Sequence, residues 1–218
     1  MEGCTTIITE MEEFDNKKKS FGKSKVKDAG IKIYIDGNYA FLLYRSDINR
    51  HAIKVGSEIS EDTYIKIIED TVYRRAKQKI LFLLKFMDRT EHELRKKLTE
   101  ALYTEDIIDR TIDYVKEYGY LNDERYATSY IKLRKDSKSR LRIQNDLMAK
   151  GINKELLDNL FTSVYLETDD NPELIAIRKA IAKKTSDPST LSWEEKQKLM
   201  ASLYRKGFEI DKIKYSLK

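Results

Sequence analysis

SRLRIQNDLMAKG, residues 139–151, is the stretch that decides the fold of this chain. Ile143 and Leu147 lie four residues apart within it, a spacing that puts both side chains on one face of a helix. The same spacing occurs 49 residues earlier and 56 residues later, and a turn and a second apolar stripe follow each pair. This recurrence predicts an array of small helical units, each of which buries its apolar face against a neighbour. The three pairs are Leu94/Leu98, Ile143/Leu147 and Leu199/Leu203.

Helix start and stop signals surround these pairs. Capping boxes precede the first and third pairs, a serine precedes the second, and a glycine suited to a left-handed C-terminal position follows each unit's helix. The start signals are Thr90/Glu93, Ser137 or Ser139, and Ser192/Glu195, and the stop signals are Gly119, Gly151 and Gly207. With a third helix in each unit, they predict a mainly α fold. We expect three tandem three-helix repeats in an elongated array, at residues 61–119, 120–166 and 167–218.

Residues 1–60 predict a small β unit instead. Ile31, Ile33 and Ile35 alternate with other residues, as in a half-buried strand. Asp36-Gly37 separates this run from a second strand-like run, which is the signal of a β-hairpin. Because so few strands bury little, we expect this unit to rest on the first long helix, which begins near Glu61. Its other segments are the second strand Tyr39–Tyr44, a candidate third strand Thr5–Ile8 and a predicted mobile loop at 15–28.

Composition and charge indicate a binding protein. Hydrophobic residues make up 40% of the 218 and charged residues 36%, which suits a soluble helical protein with thin cores. Residues 1–70 hold 11 Lys and Arg against 13 Asp and Glu, whereas the remaining residues hold 31 against 24. The basic character therefore belongs to the repeats. It predicts a polyanion or an acidic protein surface as the partner.

Several classes of function are not expected. Cys4 is the only cysteine and His51 and His92 are the only histidines, so we expect no internal disulfide and no Cys/His zinc site. The eight glycines are dispersed and form no phosphate-binding loop. We expect no signal peptide and no membrane span, and hence a cytoplasmic location. These observations predict a protein that is not an enzyme and that uses no cofactor or metal.

Two basic runs are the candidate binding surfaces, and both fall where the first helix of a repeat passes into the second. The alternative is that they are solvated helix faces, which is the commoner role of such runs. Tyr73, Tyr126 and Tyr130 lie nearby, but their helical spacing is more typical of core residues than of a base-stacking surface. The candidate partner- or DNA-binding residues are Arg74, Arg75, Lys77, Lys85, Arg89 and Arg95 in the first run and Lys132, Arg134, Lys135, Lys138, Arg140, Arg142 and Lys150 in the second.

The middle repeat resembles the RecX family, bacterial regulators of the RecA recombinase. The resemblance rests on GYLNDERYA at residues 119–127, Tyr130-Ile131, Arg142-Ile143, Leu147 and Lys150-Gly151-Ile152. It covers residues 30–217, since Glu93-Leu94 with Leu98 resembles the first repeat and the hairpin resembles the N-terminal extension of Gram-positive members. The chain departs from the family pattern at Lys138-Ser139-Arg140-Leu141, where a glycine is frequent, and at Lys85–Thr90, where an Arg-x-Arg-Ser-like run is usual.

The resemblance implies a curved, nine-helix monomer that lies in the groove of the RecA filament on single-stranded DNA. Such a protein inhibits the recombinase and co-protease activities of RecA, limiting recombination, DNA repair and the SOS response, and binds DNA alone only weakly. ATP hydrolysis belongs to RecA. Two alternatives stay open from the residues: a DNA-binding protein that acts without RecA through helix-turn-helix-like units, and a helical scaffold for an acidic peptide.

Overall fold

The computed structural model describes residues 6–14, 30–166 and 170–217. The chain divides into two compact units. The first comprises Met1–Asp88 with Leu94–Leu121, and the second Arg89–Glu93 with Asn122–Lys218. The predicted mobile loop at 15–28 and Cys4 lie outside the described residues.

The first unit begins with an antiparallel sheet in the order β3-β2-β1-β4. The predicted hairpin is confirmed, because β2 pairs with β3 across Asp36 and Gly37. Both turn residues have positive φ, 49° and 80°, as a tight hairpin turn requires. The predicted third strand is longer than expected. The strands are β1 (Thr6–Phe14), β2 (Gly30–Ile35), β3 (Asn38–Leu43) and β4 (Glu58–Ile59).

One face of the sheet rests on a long helix, as the sequence predicts. This helix runs through α2 (Glu61–Ile67), a π-helical segment (Ile68–Tyr73) and α3 (Arg74–Phe86). The sheet and the helix share one core, in which the rings of Phe41 and Tyr64 lie 6.0 Å apart. The sequence did not predict the π-helical segment. It also did not predict a short helix after β3, α1 (Arg45–His51).

Two further helices, α4 (Glu91–Thr99) and α5 (Glu105–Glu117), complete the first three-helix group. Leu94 and Leu98 are fully buried, as their spacing predicts. The Tyr39 hydroxyl of β3 donates a 2.5 Å hydrogen bond to the Leu102 carbonyl in the α4–α5 turn. Burial raises the pKa of Tyr39 to about 12, so the hydroxyl keeps its proton at neutral pH. The hairpin is therefore bonded to the helices as well as packed on them.

The second unit contains two further three-helix groups, each with a small core of its own. Ile143, Leu147 and Phe161 fill the first core, and Ile177 and Leu203 lie in the second. Separate cores of this size are the thin cores that the composition predicts. The helices are α6 (Asp123–Arg134), α7 (Arg140–Met148) and α8 (Lys154–Leu166), then α9 (Pro172–Ala182), α10 (Trp193–Arg205) and α11 (Ile210–Ser216).

The predicted helix caps are present. Thr90 and Glu93 exchange hydrogen bonds at the start of α4, and Ser192 and Glu195 do so at the start of α10. Of the two candidate serines, Ser139 caps α7. A 3₁₀ turn at Pro188–Thr190 precedes α10.

The same arrangement of two hydrogen bonds, here called a joint, occurs twice in the second unit. A capping hydroxyl donates to the carbonyl before a C-terminal glycine: Thr90 to Lys150 at 2.7 Å, and Ser139 to Lys206 at 2.6 Å. The backbone amide of the residue after the capping residue donates to a carboxylate: Glu91 to Asp123 at 2.9 Å, and Arg140 to Glu173 at 3.1 Å.

A glycine stands at each joint, and its backbone angle and close contacts explain why the sequence pattern requires glycine there. Gly151 and Gly207 both have φ of 86°, which favours glycine. A Cβ on Gly207 would lie 2.9 Å from the Ser139 hydroxyl, and one on Gly151 would lie 2.4 Å from the His92 Cβ. Each glycine therefore serves both as a helix stop and as the point of close approach.

Candidate nucleic-acid interface

Arg75, a candidate binding residue on α3, forms an ion pair inside the first unit. Its guanidinium holds both carboxylate oxygens of Asp47 on α1, at 2.6 and 2.7 Å. The Asp47 side chain is fully buried, and 28% of the Arg75 side chain is exposed. Burial raises the pKa of the Asp47 carboxyl. The bonds from Arg75 and from the Tyr44 amide outweigh this effect, so the net pKa is lowered. Arg75 thus supports the fold directly.

Lys77 and Arg110 lie among aromatic rings. The Lys77 ammonium is 4.3 Å from the Tyr73 ring centroid and 5.1 Å from that of Tyr114. Arg110 lies 4.3 Å from the Tyr73 centroid and pairs with Glu69 at 2.8 Å. Tyr73 packs against the core, as its spacing predicts. This cluster fixes α3 against α5 through cation–π contacts.

The other candidate residues of the first basic run differ in whether they have ion-pair partners within the protein. Arg95 on α4 pairs with Glu105 at 3.2 Å and Asp109 at 2.7 Å, which ties α4 to α5. Arg74 and Lys85 are exposed on α3, and within the described residues neither has an ion-pair partner. Those two therefore remain available to a partner.

Arg89 belongs to the second unit. Its Nε is buried and, within the described part of the chain, has no hydrogen-bond partner. Nothing in its surroundings explains why this nitrogen is left unpaired.

The α6–α7 turn gathers most of the second basic run. Lys138 donates to Asp146 at 2.6 Å and to the Tyr130 hydroxyl at 3.2 Å, and Arg142 contacts the same carboxylate at 3.2 Å. The bond to Asp146 raises the pKa of Lys138, and the reciprocal bond lowers the pKa of Asp146. One carboxylate therefore serves two cations. Lys132, Arg134 and Lys135 lie just before this turn; Lys132 and Arg134 are exposed and Lys135 is half-buried.

Lys150 is engaged by one of the repeated joints. Its ammonium lies 2.5 Å from Glu93 and 5.5 Å from the Tyr126 ring centroid. Burial of Glu93 raises its pKa, but the bonds from Lys150 and the Thr90 amide outweigh this, and the pKa is lowered. Tyr126 stacks on Tyr130 and packs against the core. These contacts give Lys150 a structural role.

Arg140 belongs to the other joint, where its amide holds the place that the Glu91 amide holds in the first. Its guanidinium lies 3.3 Å from Asp158 and 4.9 Å from the Phe161 ring centroid. Its amide donates to Glu173, a buried carboxylate that also pairs with Lys212 at 2.5 Å. The Arg140 side chain is half-buried and lines one wall of a cavity.

Two neighbouring cavities lie where α7 meets the end of α10. The smaller has a volume of about 220 Å³ and is lined by Ser137, Lys138, Ser139, Arg142, Arg205, Lys206 and Phe208. The larger, about 580 Å³, is lined by Arg140, Leu141, Gln144, Glu173, Tyr204, Arg205, Gly207, Phe208 and Glu209. Candidates from the second run thus meet cations from the third repeat.

Arg205 and Lys206 belong to this site, although the two basic runs of the sequence do not include them. They immediately precede Gly207, just as Lys150 precedes Gly151 in the middle repeat. This alignment of the repeats is the signal that identifies them. Grouping charges only by nearness in sequence hides the contribution of the third repeat.

Neither a metal centre nor a membrane span is found in the described ranges. Among residues 6–14, 30–166 and 170–217, no group of three His, Cys, Asp or Glu is arranged to hold a metal ion. No helix there is long and apolar enough to cross a membrane.

Three family models match the three helical groups. They are described as the first, second and third three-helix domains of RecX, and they match residues 76–114, 122–159 and 173–217. This chain belongs to the RecX family. The expected resemblance is therefore confirmed. Relatives in this family carry the name "Regulatory protein RecX".

Curated RecX relatives match over most of their length. "Regulatory protein RecX" of Clostridium acetobutylicum is 31% identical over 199 residues, which are 89% of this chain and 91% of the relative. That of Caldanaerobacter subterraneus subsp. tengcongensis is 32% identical over 192 residues, 88% and 93% of the two chains. That of Clostridioides difficile is 29% identical over 213 residues, 95% and 92%.

Solved RecX structures share the fold. A crystal structure of regulatory protein RecX aligns with a TM-score of 0.57 and 22% identity, covering 96% of this chain and 97% of that one. RecX from Lactobacillus salivarius aligns with a TM-score of 0.54 and 24% identity, covering 66% and 94%. The mainly α fold with three RecX three-helix domains and a small N-terminal strand unit agrees with the prediction.

Proposed function

We propose that this RecX-family regulator binds RecA and its filament on single-stranded DNA. In this role it inhibits the recombinase and co-protease activities of RecA, in DNA repair and the SOS response. It acts as a cytoplasmic monomer, without cofactor and without catalysis of its own. Membership of the family, carried by all three helical domains, is the observation that supports this function most directly.

The charges of the α6–α7 turn support the same partner. Arg134 is exposed, Lys135 is half-buried, and neither has an ion-pair partner in the described part of the chain. A filament on single-stranded DNA presents phosphates, and Lys or Arg side chains that meet phosphates displace condensed counterions. This surface therefore gains free energy from a polyanion.

A charge-reversal experiment tests the proposal. Arg134→Glu/Lys135→Glu should abolish inhibition of RecA-dependent strand exchange while the circular dichroism spectrum stays helical. Lys179→Glu/Lys183→Glu is the matched control, because it reverses two exposed charges, at Lys179 in α9 and at Lys183 directly after it, that are not part of the α6–α7 turn. The control should inhibit like the unaltered protein. Full inhibition by the first variant would refute the assignment of this face, and absence of inhibition by the unaltered protein would refute the function.

The alternative, a DNA-binding protein that acts without RecA, makes a different prediction. Binding to duplex and single-stranded DNA is measured with and without RecA. Our proposal predicts weak binding to DNA alone and tighter association when the RecA filament is present. Tight, sequence-specific binding to duplex DNA without RecA would favour the alternative.

A further inference from the structure

We propose that the 220 Å³ cavity between the α6–α7 turn and the end of α10, here called the joint pocket, binds a backbone phosphate of single-stranded nucleic acid. The larger cavity beside it, here called the apolar groove, receives the adjoining base. This inference rests on the proposed function for the presence of nucleic acid. It adds a defined site to which the third repeat contributes.

The joint pocket is lined by an excess of positive charge. Four cationic side chains line it, Lys138 and Arg142 from one side and Arg205 and Lys206 from the other. Among the described residues, no carboxylate lines this cavity. Four like charges around one small space repel one another, and an anion placed among them removes that repulsion.

The ion pairs of these cations leave an excess of positive charge. Asp146 is shared by Lys138, at 2.6 Å, and Arg142, at 3.2 Å. Arg205 and Lys206 have no ion-pair partner within the described residues. Asp146 is thus the carboxylate that pairs with any of these four cations among the described residues, and the carboxylates Glu173 and Glu209 line the adjoining cavity. The C-terminus of α10 offsets part of this charge, because its carbonyl groups carry a partial negative charge.

The chemistry of the lining indicates a phosphate in particular. Arginine presents a planar fork of donors that matches two phosphate oxygens, and lysine adds a compact charge. The Ser139 hydroxyl is already engaged, since it donates to the Lys206 carbonyl at 2.6 Å. That bond fixes the end of α10 against the turn. The cations therefore stand on a fixed backbone rather than on a flexible segment.

The apolar groove explains why the strand should be single. Leu141 and Tyr204 line it and are 51% and 64% exposed, a large fraction for apolar and aromatic side chains. Arg205 and Phe208 line both cavities, so a phosphate in one lies next to a base in the other. Bases of a duplex are stacked inside the helix and cannot enter such a groove, whereas an unpaired base can stack on a tyrosine ring.

The first test removes the unpaired cations. Arg205→Gln/Lys206→Gln is compared with Lys198→Gln/Lys214→Gln, which removes the same charge from exposed positions outside both cavities. Binding of fluorescein-labelled oligothymidine to the full chain is followed by anisotropy over a range of salt concentrations. The first variant should lower the slope of log affinity against log salt by about 0.7 for each phosphate that the protein no longer neutralises. An equal effect of the control would overturn the proposal.

The second test concerns the base. Tyr204→Ala should weaken oligothymidine binding by about fivefold or more, with an unchanged salt slope, because stacking involves no counterions. Tyr215→Ala is the control, since Tyr215 is 60% exposed and lines neither cavity. Binding to duplex DNA should not respond to Tyr204→Ala. An equal loss for duplex and single strand would overturn the placement of a base in the groove.

Two further measurements distinguish a nucleic-acid phosphate from free phosphate, and the pocket proposal from the proposed function. Inorganic phosphate, at ionic strength matched with chloride, should shift the amide resonances of Ser137 and Phe208 and compete with oligothymidine. Phosphate shifts without any oligothymidine response would mean that the pocket binds only the free ion. Oligothymidine binding that the pocket variants leave unchanged, with RecA inhibition by the unaltered protein observed, would overturn the pocket alone. Pocket-dependent binding without any effect on RecA would overturn only the proposed function.

Discussion

Arg75→Gln is the substitution that best separates a structural cation from a binding one. The change would leave the Asp47 carboxylate fully buried and without the two charged bonds, 2.6 and 2.7 Å long, that it now accepts. Removing one partner of a buried ion pair costs about 3–5 kcal/mol of stability. Because 28% of the Arg75 side chain is exposed, water screens part of this loss. We therefore expect the free energy of unfolding of the first unit to fall by about 3 kcal/mol.

The assay must report on the first unit alone. Since the chain divides into two compact units, a single unfolding curve mixes their transitions. Hydrogen exchange followed by mass spectrometry resolves peptides from α1 and α3, and their protection gives the local stability. Arg74→Gln is the control, because Arg74 is the exposed neighbour of Arg75 on the same helix. It should change stability by less than about 0.5 kcal/mol.

A double variant tests the physical reason. Asp47→Asn in the Arg75→Gln background removes the unpaired buried charge, so the double variant should be more stable than Arg75→Gln alone. If Arg75→Gln and Arg74→Gln alter protection equally, the ion pair does not support the fold and the reasoning fails. If Arg75→Gln abolishes RecA inhibition with protection unchanged, Arg75 is a binding residue after all.

Three further outcomes follow from the joints and from the buried carboxyl. Ser139→Ala should destabilise the second unit by about 1–2 kcal/mol, since it removes both a cap and the bond to Lys206, and equal exchange in the variant and unaltered protein would contradict this. Gly207→Ala should lower the free energy of unfolding more than Gly119→Ala, because both glycines have positive φ but of the two only Gly207 has neighbours within 4 Å of an added Cβ. The backbone penalty shared by the two substitutions is about 1–2 kcal/mol. Equal losses of stability would argue against close approach at Gly207. The lowered pKa of Asp47 adds stability above its unfolded pKa of about 3.9, and that stability is lost as the pH falls through the folded value. The first unit should therefore lose stability in acid less steeply in Asp47→Asn, as hydrogen exchange of peptides from α1 and α3, corrected for the intrinsic exchange rate at each pH, would measure.

Much of the fold is determined by signals that act within a few residues. Thr90 and Glu93 cap α4 because their side chains reach amides three positions away. Asp36-Gly37 turns the hairpin because both residues adopt positive φ. The sequence also carries the threefold apolar spacing that predicts the three helical units. These features depend on local geometry, so no knowledge of distant neighbours is required to predict them.

The sequence did not predict three elements of the first unit, α1, β4 and the π-helical segment, and α1 depends on a distant partner. The α1 segment has few apolar residues, and its stability derives from Asp47 meeting Arg75, 28 positions away. The π-helical segment falls within a helix whose apolar spacing is ordinary. We find no local signal in the sequence that marks it.

The residue pattern alone identifies a three-repeat helical member of the RecX family with basic turns between its helices. The cations that stabilise the fold can be told from those available to a partner only from the folded chain. Arg75, Arg95 and Lys150 are held by carboxylates that sequence patterns do not place beside them. Conversely, the bond between Ser139 and Lys206, 67 positions apart, brings the third repeat's cations to the α6–α7 turn. The physical reason is that the energy of a charge depends on every group within a few ångströms, and folding alone determines which groups those are.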